Sequence, residues 1–153
     1  MLFTRLPPPL IVLLLAGAMS LATDLSPELA LPLPLHASWG AASLCGLLSL
    51  LLGGWALCSF RGANTTVDPR HPERTRQLVT GGIYRLSRNP MYLALLLLLL
   101  AWGLLLANAL ALLGVPLCFF YLDRLTIRYE EHHLQRKFGA SYRAYQQRTR
   151  RWI

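Results

Sequence analysis

Charge is what this 153-residue chain has least of: Asp, Glu, Lys and Arg make up 14% of it, with seven acidic residues against fifteen basic ones. Hydrophobic residues account for 54% and the mean hydropathy is +0.41. Such a balance excludes an ordinary soluble domain, and the length excludes two domains. Cysteine is scarce as well. Cys45, Cys58 and Cys118 all lie in apolar segments without CxxC spacing, so neither a disulfide framework nor a thiolate metal site is expected. HExxH is absent, and His132 and His133, adjacent on a helix, point about 100° apart, which argues against a metal. No internal repeat and no nucleic-acid-binding module is evident, so the net charge of +8 does not imply a nucleic-acid partner.

What is abundant is leucine in long apolar runs. A helix crossing about 30 Å of hydrocarbon needs roughly 20 apolar residues, which predicts a single all-α integral membrane domain over residues 1–153. A first span is expected at residues 6–22 and a second at 36–60, followed by a loop at 61–90. The run at 91–123 is long enough for two helices. Asn108 lies near its middle, so a hairpin of Met91–Ala107 and Ala109–Asp123 is predicted, giving four spans. Residues 124–153 then form a helical extension and a tail, because no Pro or Gly interrupts residues 117–138.

The first span is the weakest of the four. Pro7, Pro8 and Pro9 leave a helical core from Leu10 to about Leu21, and Arg5 with Ser20-Leu21-Ala22 gives the segment a signal-like look. The proline-rich start suits a retained anchor better. In the second span Ala42, Gly46, Ser49 and Gly53 form a stripe of small residues on which another helix can pack closely in lipid.

Charge placement sets the orientation. One basic residue (Arg5) precedes the first span and none lies in Thr23–Leu35, whereas six lie in Arg61–Asn89 and eight from Arg124 onward. By the positive-inside rule the 61–90 loop and both termini face the cytoplasm. The expected location is the bacterial inner membrane, with the bilayer as a partner.

The stretch "GGIYRLSRNPMYLALLLLLL" at 81–100 places Arg85, Arg88 and Asn89 directly against an apolar run. Asn89 suits an N-cap, Pro90 the first helical position, and Tyr92 the interfacial level. Cap and anchor explain these residues by themselves. An antiparallel return, however, brings Asp123, Glu130 and Glu131 to the same boundary. A helix N-terminus with nearby arginines holds a carboxylate, and a glutamate beside it holds an ammonium. Ordinary ion pairing is the competing explanation.

"GGIYRLSRNPMYLA", followed after the apolar hairpin by "EEHHL", "FGASYRAY" and the terminal "RRWI", resembles the isoprenylcysteine carboxyl methyltransferase and phospholipid methyltransferase superfamily over about Thr65–Ile153. Arg88, Asn89, Pro90 and Tyr92 fit the first half of the family pattern, and Glu130, Glu131 and Leu134 fit the second; Ala94 stands where a glycine is usual. The resemblance implies S-adenosylmethionine as methyl donor, bound at the cytoplasmic ends of the last two spans under the C-terminal segment. On that basis Asn89, Pro90 and Met91 are expected at the cofactor's amino-acid end. Arg88 would lie near its carboxylate and Glu131 near its ammonium, with Glu130 sharing that role; Tyr84 and Tyr92 would be walls.

The implied acceptor is a membrane amphiphile, either an isoprenylcysteine-like carboxylate or a lipid amine. Arg143, Arg148 and Arg150 are candidates for orienting an anionic acceptor, although Tyr142, Tyr145 and Trp152 make the tail read first as an interfacial helix facing lipid headgroups. Two other functions stay open, a nicotinamide-dependent membrane reductase and a non-enzymatic membrane interaction protein.

Overall fold

A computed structural model of the protein describes residues 6–62 and 77–153; residues 63–76 of the 61–90 loop, with Arg70, Arg74 and Arg76, and the residues up to Arg5 lie outside them. The first helix, α1, runs Pro8–Leu25, longer at both ends than the core expected from the sequence. The prolines do not shorten it: Pro7 occupies the N-cap and Pro8 opens the helix, positions where a missing N–H costs no hydrogen bond. A short 3-10 turn at Pro27–Leu29 leads to α2, Leu35–Gly62. After the undescribed stretch, a second 3-10 turn at Gly82–Arg85 precedes α3, Pro90–Leu106.

From Ala109 one continuous helical path runs 40 residues to Arg148. It comprises α4 (Ala109–Leu112), α5 (Gly114–Tyr121), a π-helical segment (Leu122–Ile127) and α6 (Arg128–Arg148). The pause at Leu113 follows from Pro116, which has no N–H to give the Leu112 carbonyl. At ~1.5 Å per residue the path is far longer than a bilayer core. Its apolar part ends at Leu122, and from Asp123 onward the path carries charged residues.

Among the described residues three helices are long and apolar enough to cross a membrane: α1, Leu35–Phe60 within α2, and the Ala109–Arg148 path. The shorter α3, with 17 residues, is at the lower limit for a span. It is the central helix, packed by α2 on one side and by α1, α4 and α5 on the other. The small-residue stripe on α2 is used there, with Ala42 and Ser49 buried and the Ser49 hydroxyl donating to the Ala94 carbonyl at 2.7 Å. A Cβ built on Gly53 would stand 3.6 Å from that of Ala94, so the alanine found in place of the family glycine meets a residue without a side chain. Gly46 contributes nothing; a Cβ there would meet no atom within 4 Å.

The end of the bundle away from the arginines is tied by Asn108. Its amide is fully buried; the oxygen accepts from the Leu110 and Ala111 N–H groups and the nitrogen donates to the Ser26 carbonyl at 2.8 Å. Leu31 N–H adds a bond to the Ala107 carbonyl at 2.6 Å. Asn108 therefore does more than break a leucine run: it caps the return helix and joins it to the α1–α2 connection. Asn108→Ala is expected to cost about 2 kcal/mol, a lost cap together with the lost amide hydrogen bond to the Ser26 carbonyl, which keeps the Leu29 N–H. Reversible denaturation in detergent would measure it, and an unchanged midpoint would contradict this role.

Candidate functional site

At the opposite, basic end the polar residues predicted from the sequence come together, though in a different pairing. Tyr92, two residues into α3, donates its hydroxyl to Glu130 on α6, so the start of α3 and the start of α6 lie side by side. Gly103, near the other end of α3, faces Leu112, and the two helical paths are therefore antiparallel.

The N-terminal end of α3 is reached through a tight turn that glycine permits. Gly82 has φ +57°, and a Cβ there would stand 2.9 Å from the Ser59 hydroxyl of α2; only glycine satisfies both the conformation and the approach. The turn buries Tyr84, whose ring meets Phe60 edge-on at 5.3 Å. Pro90 is the first residue of α3, as expected, but Asn89 does not cap the helix with its side chain. Its amide nitrogen donates instead to the Arg151 carbonyl at 3.0 Å, while Ser87 Oγ accepts the Asn89 N–H at 3.1 Å.

Arg88 and Glu131, assigned from the sequence to the carboxylate and the ammonium of one ligand, are paired with each other at 2.8 Å. Arg88 Nη1 also donates to the carbonyls of Thr149 (2.6 Å) and Gln146 (3.2 Å), placing a cation on the C-terminal carbonyls of α6, where the helix dipole favours it. Its Nε is buried and has no hydrogen-bond partner. Glu131 is held from a second side by Arg151 Nη2 at 2.5 Å. Among the described residues Glu130 is bonded by the Tyr92 hydroxyl alone. Burial pushes the Glu130 carboxyl up to about 8, against the pull of the Tyr92 hydrogen bond, with the neighbouring Glu131 charge adding to the rise.

The C-terminal part of α6 does not turn Tyr142 and Tyr145 outward, as the expected interfacial helix would. Gly139, at φ +52° and ψ −117°, breaks the helix, and the part beyond it turns inward. Tyr142 and Tyr145 are buried, and Tyr145 donates its hydroxyl to the Tyr84 carbonyl at 2.7 Å. Burial raises both phenols above their ordinary pKa, so they remain neutral donors. Trp152 donates to Asp123 at 3.0 Å and packs on Phe119. The turn has a physical cause: two tyrosines three residues apart share a helix face, and a glycine outside helical geometry can aim that face at the core.

Between these elements lies a cavity of about 600 Å³. Tyr84, Arg88, Asn89, Met91, Tyr92, Glu130 and Glu131 all line it, together with Tyr142 and Tyr145. Pro90 is buried behind the wall. Most of the remaining lining is apolar and includes the start of α1 (Pro8, Pro9), part of α2 (Leu50, Gly53, Gly54, Leu57) and Leu95 of α3. Pro9, Leu50, Gly54 and Leu57 are exposed on the outside of the bundle, so one arm of the cavity reaches the level of the apolar helices.

Arg143, Arg148 and Arg150 are exposed and do not line the cavity. The basic residue that does approach this site from the tail is Arg151, which the sequence reading left without a role. Tyr142 and Tyr145 were likewise given to the lipid surface; the signal for their burial was their spacing just after Gly139. Among the described residues no group of three His, Cys, Asp or Glu side chains is placed to hold a metal ion.

The fold and site define a small helical membrane protein with a ligand-sized, mostly apolar cavity that carries charged and polar side chains at one end of its apolar helices. Residues 39–141 match the phospholipid methyltransferase family, and the chain belongs to that family. Two probable protein-S-isoprenylcysteine O-methyltransferases of Oryza sativa, from its indica and japonica subspecies, are each 30% identical over 111 residues, covering 70% of this chain and 58% of theirs. Protein-S-isoprenylcysteine O-methyltransferase B of Arabidopsis thaliana is 32% identical over 77 residues, covering 50% of this chain and 39% of that one. An uncharacterized protein of Haemophilus influenzae is 51% identical over 63 residues, its whole length and 41% of this chain. No solved structure matches.

Proposed function

We propose that the protein transfers a methyl group from S-adenosylmethionine to an amphiphilic acceptor held in the membrane. The observation that carries this reading is the cavity, which joins a polar chamber of family-motif residues to an apolar arm at the level of the spans. The residues fit the cofactor. A volume of about 600 Å³ is in the range of small-molecule sites. Glu130, bonded only to a phenol, suits an ammonium or the sulfonium. The unpartnered Arg88 Nε beside the start of α3 suits a carboxylate, because a buried donor without an acceptor is satisfied by one.

In this reading Asn89 and the Pro90–Met91 helix start lie at the amino-acid end, and Tyr84, Tyr92, Tyr142 and Tyr145 form the walls. Glu131 acts at one remove, fixed between two arginines, which leaves Glu130 with the direct charge role. When bound, S-adenosylmethionine supplies an electrophilic methyl on a sulfonium. The chain's own contribution is to orient donor and acceptor and to exclude water. The acceptor's apolar chain would occupy the arm between Pro9 of α1 and Leu50, Gly54 and Leu57 of α2, an isoprenylcysteine carboxylate or a lipid amine being the two candidate head groups.

Calorimetry with S-adenosylmethionine on the protein in nanodiscs tests the donor, and absence of binding would overturn the reading. Stabilisation by a nicotinamide dinucleotide but not by S-adenosylhomocysteine would replace it with the reductase. For the acceptor, methyl transfer to two compounds with one head group and long or short apolar chains is expected to favour the long chain; equal efficiency would exclude the apolar arm as the acceptor's place. The arginine-rich side is read as cytoplasmic, so cysteines placed near Arg85 and after Arg124, in a background lacking Cys45, Cys58 and Cys118, should label from the same side. Labelling from opposite sides would invert the assignment of one of them.

A further inference from the structure

The five residues after α6 fold back over the start of α3, and the contacts follow the chain residue by residue. The carbonyl of Thr149 accepts from the Arg88 guanidinium at 2.6 Å, that of Arg150 from the Arg88 backbone N–H at 3.0 Å, and that of Arg151 from the Asn89 amide at 3.0 Å. With its backbone thus tied, Arg151 sends its side chain to the other helix of the site. Nη1 bonds Asp123 at 3.1 Å, while Nε and Nη2 bond Glu131 at 3.2 and 2.5 Å.

One guanidinium reaching both carboxylates requires Asp123 and Glu131 to share a helix face. Positions eight apart on an unbroken α-helix are offset by roughly 80°. The π-helical segment Leu122–Ile127 lies between them, and its wider turn takes up that offset. An irregular helix is thus found where it brings the two carboxylates into register.

Arg151 does not line the cavity, yet it and Arg88 together occupy both oxygens of Glu131. Both glutamates line the cavity, but the oxygens of Glu131 are taken by guanidiniums, whereas Glu130 is bonded to the Tyr92 hydroxyl. We propose that Arg151 is a positioning residue of the methyl-donor site: acting through Glu131 and Asp123, it fixes the tail on α3 and holds Glu131 so that Glu130 alone presents a carboxylate to the bound cation. This rests on the reading of the cavity as the S-adenosylmethionine site.

The test uses the full chain in nanodiscs, with calorimetric binding of S-adenosylmethionine and thermal unfolding measured on the parent, Arg151→Lys, Arg151→Ala, Glu131→Gln and the Arg151→Ala/Glu131→Gln double variant. Lysine keeps the charge but cannot fork across two carboxylates. Arg151→Lys should therefore unfold near the parental temperature and still bind about tenfold more weakly, within the range of couplings between contacting residues. The double variant should bind no more weakly than Glu131→Gln alone, because the effect passes through that carboxylate. Guanidinium ion, and not ammonium, should restore part of the binding lost in Arg151→Ala, a response that a purely structural role would not give.

Parental affinity in Arg151→Lys, or losses that simply add in the double variant, would overturn the positioning role while leaving the cavity's function standing. Failure of the parent to bind would instead overturn the functional reading on which the role depends.

Discussion

Replacing Arg88 with methionine is expected to free the C-terminal end of α6 and to destabilise the protein by about 3 kcal/mol, the low end of the cost of breaking a buried ion pair. Three attachments go with the guanidinium: Glu131, the Thr149 carbonyl and the Gln146 carbonyl. The low end applies because Arg151 still neutralises Glu131, so no carboxylate is left without a cation. The side chains of the pair are 11% and 14% exposed, little enough that solvent screening does not erase the cost. Arg88→Lys should lose less stability, because an ammonium can keep one partner, but it lacks the planar fork that serves all three. Unfolding in detergent, with insertion checked separately by membrane extraction, measures the difference. A methionine variant as stable as the parent would mean that the network at the end of α6 is decoration on helices held by lipid and apolar packing alone.

Glu130→Gln should act in the opposite way, weakening S-adenosylmethionine binding while sparing the unliganded fold. Loss of a hydrogen bond to a charged group costs about 1.5–3 kcal/mol, or roughly 10- to 150-fold in affinity. The pH dependence gives an independent signature. With its carboxyl pushed up to about 8, unliganded Glu130 is protonated at lower pH and presents no charge to a cation; affinity in the parent should rise as pH rises through about 8, and in the glutamine variant this rise should vanish.

Stability runs the other way. The unfolded chain releases this proton near the ordinary value of 4.5 and the folded one near 8, so the folded state binds more protons between them, and stability is lost as pH rises through that window. Glutamine, which never ionises, removes that loss. A variant less stable than the parent above pH 8, or one with parental affinity, would contradict the assignment. The two glutamates are told apart by the same measurements, since Glu131→Gln leaves two arginines short of a partner and should lower stability.

These expectations separate residues that looked equivalent in the sequence. Glu130 and Glu131 are adjacent and belong to one motif; only their packing shows that one is tied between guanidiniums and the other bonded to a phenol. Asn89 had the right residue type and position for a cap, but its amide finds the Arg151 carbonyl, 62 residues away. No local pattern encodes such a partner. Arg143, Arg148 and Arg150 were attractive as tail cations, yet α6 turns at Gly139 and leaves them outside. The same turn buries Tyr142 and Tyr145.

The sequence by itself determined the class of protein, the number and approximate places of the apolar helices, the asymmetry of basic charge between their ends, and the start of α3 at Pro90. Each of these is written in neighbouring residues, through hydropathy over a span length, charge counts in short connections, or the missing N–H of a proline. The π-helical register of Asp123 and Glu131, the inward turn at Gly139, the fold-back of the tail onto Arg88 and Asn89, and the pairing of Glu131 rather than Glu130 with two guanidiniums were decided only by the tertiary structure. All of them depend on contacts between segments far apart in the chain, where burial and competing partners, and not residue type, determine what each polar group bonds.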